Sequence, residues 1–368
     1  MKTIHRFTAL DGLRGLAALI VLIRHTPEFW GFTVFRSYLS VDLFFLLSGF
    51  VIAYAYDDKL KDKAIQLKEF FLLRVIRLYP VFFLSLLLSG VVMGFKVFVK
   101  HEFPYSLNTV LSSILLTGLL IPYKLPNHYT NFPLNPPYWS LFFELIVNMI
   151  YAFFRPVLKL EHLKYYIPAF ALIVFGLGFF KGDLDLGCVW SAADFVGGLF
   201  RALFGIFFGL FLYKNIEGIS QKLSKFLNPW LFLALIVTAL SSPDLGSLNS
   251  IVDAVCLLVL FPLGVVAISK MKAPLKTSKL DTFFTVLGSA SYPLYVLHYP
   301  LSRFAATVLH HKETQYAPFS GIVFASVLVV LCYLLERYID TPLRKWLSSK
   351  LKQKKNQQPA LTPLKAIQ

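Results

Sequence analysis

Charge is scarce in this chain. Of its 368 residues only 15% are Asp, Glu, Lys or Arg, against roughly 25% in a soluble globular domain. The three cysteines, Cys188, Cys256 and Cys332, are scattered through apolar segments. Their spacing suits neither a disulfide framework nor a metal site, so packing is their expected role. There is no G-x-S-x-G elbow, Walker loop, strand-linked G-x-G-x-x-G or H-E-x-x-H. Those absences remove the commonest serine-hydrolase, nucleotide-binding and zinc-protease readings, and no metal is expected. No internal repeat is visible either, which argues against a transporter built from inverted halves.

Apolar side chains are abundant: 57% of residues are hydrophobic and 16% aromatic, and mean hydropathy is +0.64. The apolar runs match a hydrocarbon core that takes roughly 20 helical residues to cross. They predict an all-α, polytopic bundle of about ten transmembrane helices in the lipid bilayer, at 9–29, 40–56, 78–98, 138–154, 166–180, 192–213, 228–242, 250–269, 283–309 and 318–338. The first run has no small-residue cleavage site and is read as a retained span. The piece 109–121 is short. Read as non-spanning, it puts the basic connectors 57–77, 155–165, 214–225, 270–279 and 344–355 on one face with the N-terminus. Positive-inside bias then makes both termini cytoplasmic and 99–137 the main outer loop. All five Trp (Trp30, Trp139, Trp190, Trp230, Trp346) fall near span ends, as an interfacial belt would place them. Residues 1–345 are expected to form one membrane domain and 346–368 a basic, disordered cytoplasmic tail. The net charge of +16 lies in short segments between apolar runs, so it reports topology and not a nucleic-acid partner.

Polar residues inside these spans are the functional candidates, because each is costly in lipid. Arg14 and His25 lie eleven positions apart in LDGLRGLAALIVLIRHTPEFW, about three helical turns or roughly 16 Å on one face. That stripe sets a permanent cation near one surface and a titratable imidazole near the other. Arg14 could also snorkel or pair with Asp11 at i,i+3. Arg74 and Arg77 in FLLRVIRLYP add two planar forks, either as positive-inside anchors or as a phosphate clamp. Glu144 in PYWSLFFELIVNMIY, preceded by Trp139 and Ser140, is placed near the depth of His25, where it could orient the imidazole or donate a hydrogen bond. Asp42 in SVDLFFLLSGF reads equally as a helix N-terminal charge or a site residue, and Ser48-Gly49 as a close-packing point. Tyr295 and His298 share a face in SYPLYVLHYPLSRF, as a second polar wall or as interhelical hydrogen bonding. Arg201 is expected to pair with a carboxylate or to face the cavity.

Five segments together, LDGLRGLAALIVLIRH, SVDLFFLLSGFVI, RVIRLYP, YWSLFFELIVNMIY and SYPLYVLHYPL, resemble acyltransferase family 3 in the same order over about 300 residues. The family comprises multi-pass membrane proteins that O-acylate cell-envelope and secreted carbohydrates. The resemblance implies transfer of acetyl, or another short acyl group such as succinyl, from acetyl-CoA or a related donor to a sugar hydroxyl across a bacterial plasma membrane. It implies Arg14, Arg74 and Arg77 as donor-binding residues and His25 with Glu144 as catalytic residues, His25 acting as general base or as acyl carrier. The matching family segment commonly carries two adjacent acidic residues, whereas here Phe143 and Leu145 flank a single Glu144. Some members carry an esterase-like domain after the helices; here only a short basic tail follows, and such a partner activity is expected on another protein. Asp42, Trp139, Ser140, Arg201, Tyr295 and His298 are the expected cavity lining. The alternative from another class is a channel or exporter using the same polar stripe.

Overall fold

The computed structural model describes residues 7–271, 279–309 and 312–356. Among them the chain is helical, with no β-strand beyond an isolated bridge between Thr130 and Val189. In order the helices are α1 (Thr8–His25), α2 (Pro27–Trp30), α3 (Ser40–Lys61), α4 (Leu67–Phe98), α5 (Leu107–Gly118), α6 (Tyr138–Phe154) and α7 (Leu163–Lys181). There follow α8 (Ala192–Leu223), α9 (Pro229–Leu240), α10 (Asn249–Val255), α11 (Phe261–Ser269), α12 (Lys279–Leu309), α13 (Phe319–Leu335) and α14 (Thr341–Asn356). Wider π-turns at Cys256–Leu260 and Glu336–Asp340 join α10 to α11 and α13 to α14.

Among the described residues six helical stretches are long and apolar enough to cross a membrane: Phe35–Lys61, Leu67–Phe98, Leu163–Lys181, Ala192–Leu223, Gly246–Ser269 and Phe319–Gln353. The other expected spans differ for physical reasons. α1 carries Asp11, Arg14 and Arg24. α9 has 12 residues, about 18 Å of helix, short of a hydrocarbon core of about 30 Å. α5, which holds most of the 109–121 piece expected not to span, is equally short and packs along α4. The first expected span breaks at Thr26 because Pro27 has no N–H for the helical ladder, which leaves His25 as the last residue of α1.

Two helix crossings set the core. α1 lies on α12 at backbone distance: a Cβ on Gly15 would sit 2.5 Å from the Leu287 carbonyl oxygen, and one on Gly288 would meet Asp11. α3 lies on α8 in the same way, with Gly49 against the Ile206 carbonyl and Gly209 against that of Leu46. Small residues at such points let helices pack where lipid supplies no hydrophobic drive between them. Gly49 therefore takes its expected packing role.

Proline supplies a third fixing point. Pro300 cannot donate to the Val296 carbonyl one turn earlier, and that oxygen instead accepts Asn135 Nδ2 at 2.9 Å and the Ser85 hydroxyl. The loop before α6 and the middle of α4 are thereby tied to α12. Near the ends of α3 the buried Arg36–Asp253 pair (2.8 Å) and the Asp57–Arg155 pair bind distant segments. Finally, 346–356 is not an unstructured tail. The π-turn carries the axis of α13 into α14, and Arg344 is held there by Glu336 and by Asp340 at 2.8 Å. Residues 357–368 of the expected tail lie outside the described residues.

Candidate active site

The beginnings of α1, α4 and α6, the first half of α3, the middle of α12 and the α13–α14 junction enclose a cavity of about 240 Å³. Four arginines line it: Arg14, Arg74, Arg77 and Arg344. Carboxylates compensate them in part. Arg14 Nη1 donates to Asp11 at 3.3 Å, and Arg74 Nη2 donates to Glu144 at 2.7 Å. Glu144 also accepts the Ser48 hydroxyl at 2.6 Å. Arg74 Nε, although buried, has no hydrogen-bond partner among the described residues. Planar guanidinium donors in a partly desolvated cavity match the oxygens of phosphates. At the deep end Ser140 and Tyr295 close the cavity. Their hydroxyls stand 2.7 Å apart, one donating to the other, with the Pro137 carbonyl 3.1 Å from both.

Beyond that floor stands a histidine pair. Tyr295 and His298 are one turn apart on α12, with ring centroids 6.0 Å apart, and the His298 and His25 rings stack at 5.0 Å. His298 Nδ1 lies 3.1 Å from the Leu294 carbonyl, and its Nε2 lies 2.9 Å from His25 Nδ1. A carbonyl only accepts, so Nδ1 of neutral His298 bears the proton and its Nε2 accepts. His25 Nδ1 must then donate, which leaves His25 Nε2 as an unprotonated lone pair. This tautomer follows from hydrogen-bond logic with both rings neutral. His298 is fully buried whereas His25 is half-buried at the helix end. Around it Arg303 donates to the His25 carbonyl at 3.4 Å and stacks on Tyr299, and Thr26 accepts the Trp30 indole N–H at 3.1 Å.

Several expectations change. Glu144 is not His25's partner. It sits one turn from Ser140 toward the arginines, about 6 Å of helix rise away from the floor, where Arg74 captures its charge. Asp42 and Arg201 do not line the cavity. Arg201 donates to both Asp42 oxygens (3.0 and 2.6 Å) and to the Leu186 and Tyr38 carbonyls, a closed and buried staple between α3, α8 and the preceding loop. Trp139 is not among the cavity lining: it is buried, with the Arg201 guanidinium 5.2 Å from its ring centroid. His298 lies behind the floor, against His25. Of the expected lining, Ser140 and Tyr295 hold their places. The sequence reading missed Arg344 and Glu336, although Glu336, Asp340 and Arg344 recur every four residues on one helical face. Among the described residues no group of three His, Cys, Asp or Glu side chains could hold a metal.

The sequence matches the family model described as an acyltransferase domain over residues 7–336. Protein 2 of the picA locus of Rhizobium radiobacter is 41% identical over 156 residues, 40% of this chain and 81% of that protein. The peptidoglycan O-acetyltransferase OatA of Listeria monocytogenes is 26% identical over 360 residues, 92% of this chain and 56% of that protein. A putative O-acetyltransferase of Staphylococcus aureus is 25% identical over 376 residues, 94% of this chain and 58% of that protein. The chain thus spans a little over half the length of these two O-acetyltransferases. No solved structure matches. With the match running from the start of α1 to the end of α13, the chain belongs to acyltransferase family 3.

Proposed function

We propose that this protein moves an acetyl or other short acyl group from cytoplasmic acyl-CoA to a hydroxyl of a cell-envelope or secreted carbohydrate. We place it in a bacterial plasma membrane with about ten crossings and both termini cytoplasmic. The arginine cavity then opens to the cytoplasm and His25 faces outward. Support comes from the segregation of basic connectors, from family membership and from the O-acetyltransferase relatives. The observation that carries the reading is one continuous line of groups. Arg14, Arg74, Arg77 and Arg344 surround a cavity whose floor, Tyr295 and Ser140, lies one helical turn from His298 and, through it, His25.

In this account Arg74, Arg77 and Arg14 hold the phosphates of the donor, with Glu144 positioning Arg74. For the acyl thioester to reach His25, the hydrogen-bonded Ser140–Tyr295 floor beside Phe44 must part. His25 Nε2 takes the proton of the acceptor hydroxyl as its oxygen attacks the thioester carbonyl. The tetrahedral intermediate collapses with cleavage of the C–S bond, and the thiolate leaves and recovers the proton from His25. An ester and free thiol result. His298 holds the His25 Nδ1 proton throughout, so that the lone pair stays on Nε2. Membranes containing the wild-type protein are expected to move label from acetyl-CoA into an alkali-labile glycan ester. His25→Ala is expected to reduce this by about 100-fold or more; undiminished transfer by that variant would overturn the assignment.

A further inference from the structure

α14 carries a polar stripe that the catalytic account does not use. Thr341, Arg344, Lys345, Ser348, Ser349 and Lys352 line a groove of about 440 Å³. Their spacing of three, one, three, one and three residues follows the 3.6-residue period of one helix face. Arg344 lines both this groove and the arginine cavity, so the two lie on either side of one side chain. Arg344 is committed to Glu336 and Asp340, but Lys345 and Lys352 make no ion pair among the described residues. The apolar side of the helix carries Leu343 and Trp346, both exposed.

Size argues in the same direction. The arginine cavity alone, at about 240 Å³, falls below the roughly 300–1,000 Å³ of sites for medium-sized ligands. An acyl-CoA, with an adenosine 3′-phosphate at the end remote from its thioester, needs more. We infer that the α14 groove is a phosphate subsite in which Lys345 and Lys352, with the Ser348 hydroxyl, hold the 3′-phosphate of the donor nucleotide, while the Thr341 hydroxyl stays donated to Glu336 at 3.0 Å. This rests on the acyl-CoA reading above. The subsite divides the labour: the buried arginines take the pyrophosphate, and the helix after α13 reads the nucleotide end and so distinguishes a coenzyme A donor from other thioesters. Anionic lipid headgroups offer the same phosphate chemistry from another source.

The test is equilibrium binding of CoA and 3′-dephospho-CoA to the purified full-length protein in zwitterionic detergent. Wild type is expected to bind CoA about tenfold or more tightly than the dephospho form, the scale of one charge-assisted hydrogen bond. The double variant Lys345→Ala/Lys352→Ala is expected to lose most of that preference. Two results would overturn the subsite: equal wild-type affinity for the two forms, or a preference that survives the double substitution. A variant that keeps the preference but retains less phosphatidylglycerol in native mass spectrometry would reassign the groove to lipid. A wild-type protein that binds neither form fails the acyl-CoA reading itself, an outcome separate from the others.

Discussion

At the scale of single residues the account turns on which atom of His25 is free. His298, anchored through Nδ1 to the Leu294 carbonyl, accepts the His25 Nδ1 proton at 2.9 Å. His298→Phe removes that acceptor and is expected to lower turnover by one to two orders of magnitude, a fraction of the 10²–10⁴ typical of general base catalysis. His298→Gln, whose side-chain oxygen can accept from His25, is expected to recover part of the loss. Equal loss in both variants would show that His298 only fills space. Direct attack makes a second demand. Acid quenching during turnover with labelled acetyl-CoA is expected to leave no label on the protein. A labelled imidazole at His25 would replace direct attack with a two-step route. Much of this was legible in the sequence: Arg14 and His25 declare themselves by helical spacing, and Arg74 and Arg77 by position before an apolar run. The pairing of His25 with His298 was not, because a residue's depth along one helix does not say which helix it faces. For the same reason Glu144 and Trp139, both read from nearness to a span end, proved to belong respectively to the arginine cluster and to the core.

At the scale of elements, close helix contact fixes the site. α3 and α8 touch through glycine, and a Cβ on Gly49 would come 1.9 Å from the Ile206 carbonyl oxygen. Gly49→Ala is expected to destabilise by about 1–3 kcal/mol, the range for overpacking, and to lower the unfolding temperature in detergent. Gly94 in α4 has open space where its Cβ would fall, so Gly94→Ala is expected to be neutral or slightly stabilising, since alanine favours helix. If the two substitutions shifted the midpoint equally, α3 and α8 would not be in backbone contact. Arg74 and Glu144 bridge α4 and α6 as a mostly buried pair. Removing one partner strands the other charge, so the single losses to Ala are expected to exceed what additivity allows in the double variant. A double-mutant cycle on donor binding reads this directly. The glycine contacts were foreseeable at Gly49, in SGF, but not their partners on α8. α14 escaped notice because its lysine-rich composition suggested a solvated tail; testing the 341–352 positions for a 3.6-residue period would have shown the face.

At the scale of the whole molecule, the chain separates a cation-lined cavity from a histidine pair by the Ser140–Tyr295 floor, with Arg14 near one end of α1 and His25 at the other. The proposed orientation follows from the basic connectors alone, and it makes the two compartments face two sides of a membrane. Single-cysteine labelling at Lys63 and at Tyr129, with an impermeant reagent on intact cells, tests it: Tyr129→Cys is expected to react and Lys63→Cys to react only after lysis. Labelling in the reverse sense would invert the topology and with it the direction of acyl transfer. Fold class was the most legible property of the sequence, since apolar run length dictates it. The number of crossings was less so, because short and charged helices such as α1 and α9 depend on their neighbours more than on their own composition.

The central claim is that this molecule forms an ester on a carbohydrate and that His25 is in the chemistry. Mass spectrometry of surface and secreted glycans from cells lacking the gene, complemented with wild type or with His25→Ala, tests it most directly. The account predicts one acyl mass increment on a glycan with the wild-type gene and none with either the empty strain or the His25→Ala strain. Identical acylation in all three strains, with a change only in the amount of glycan outside the cell, would contradict it and identify an exporter.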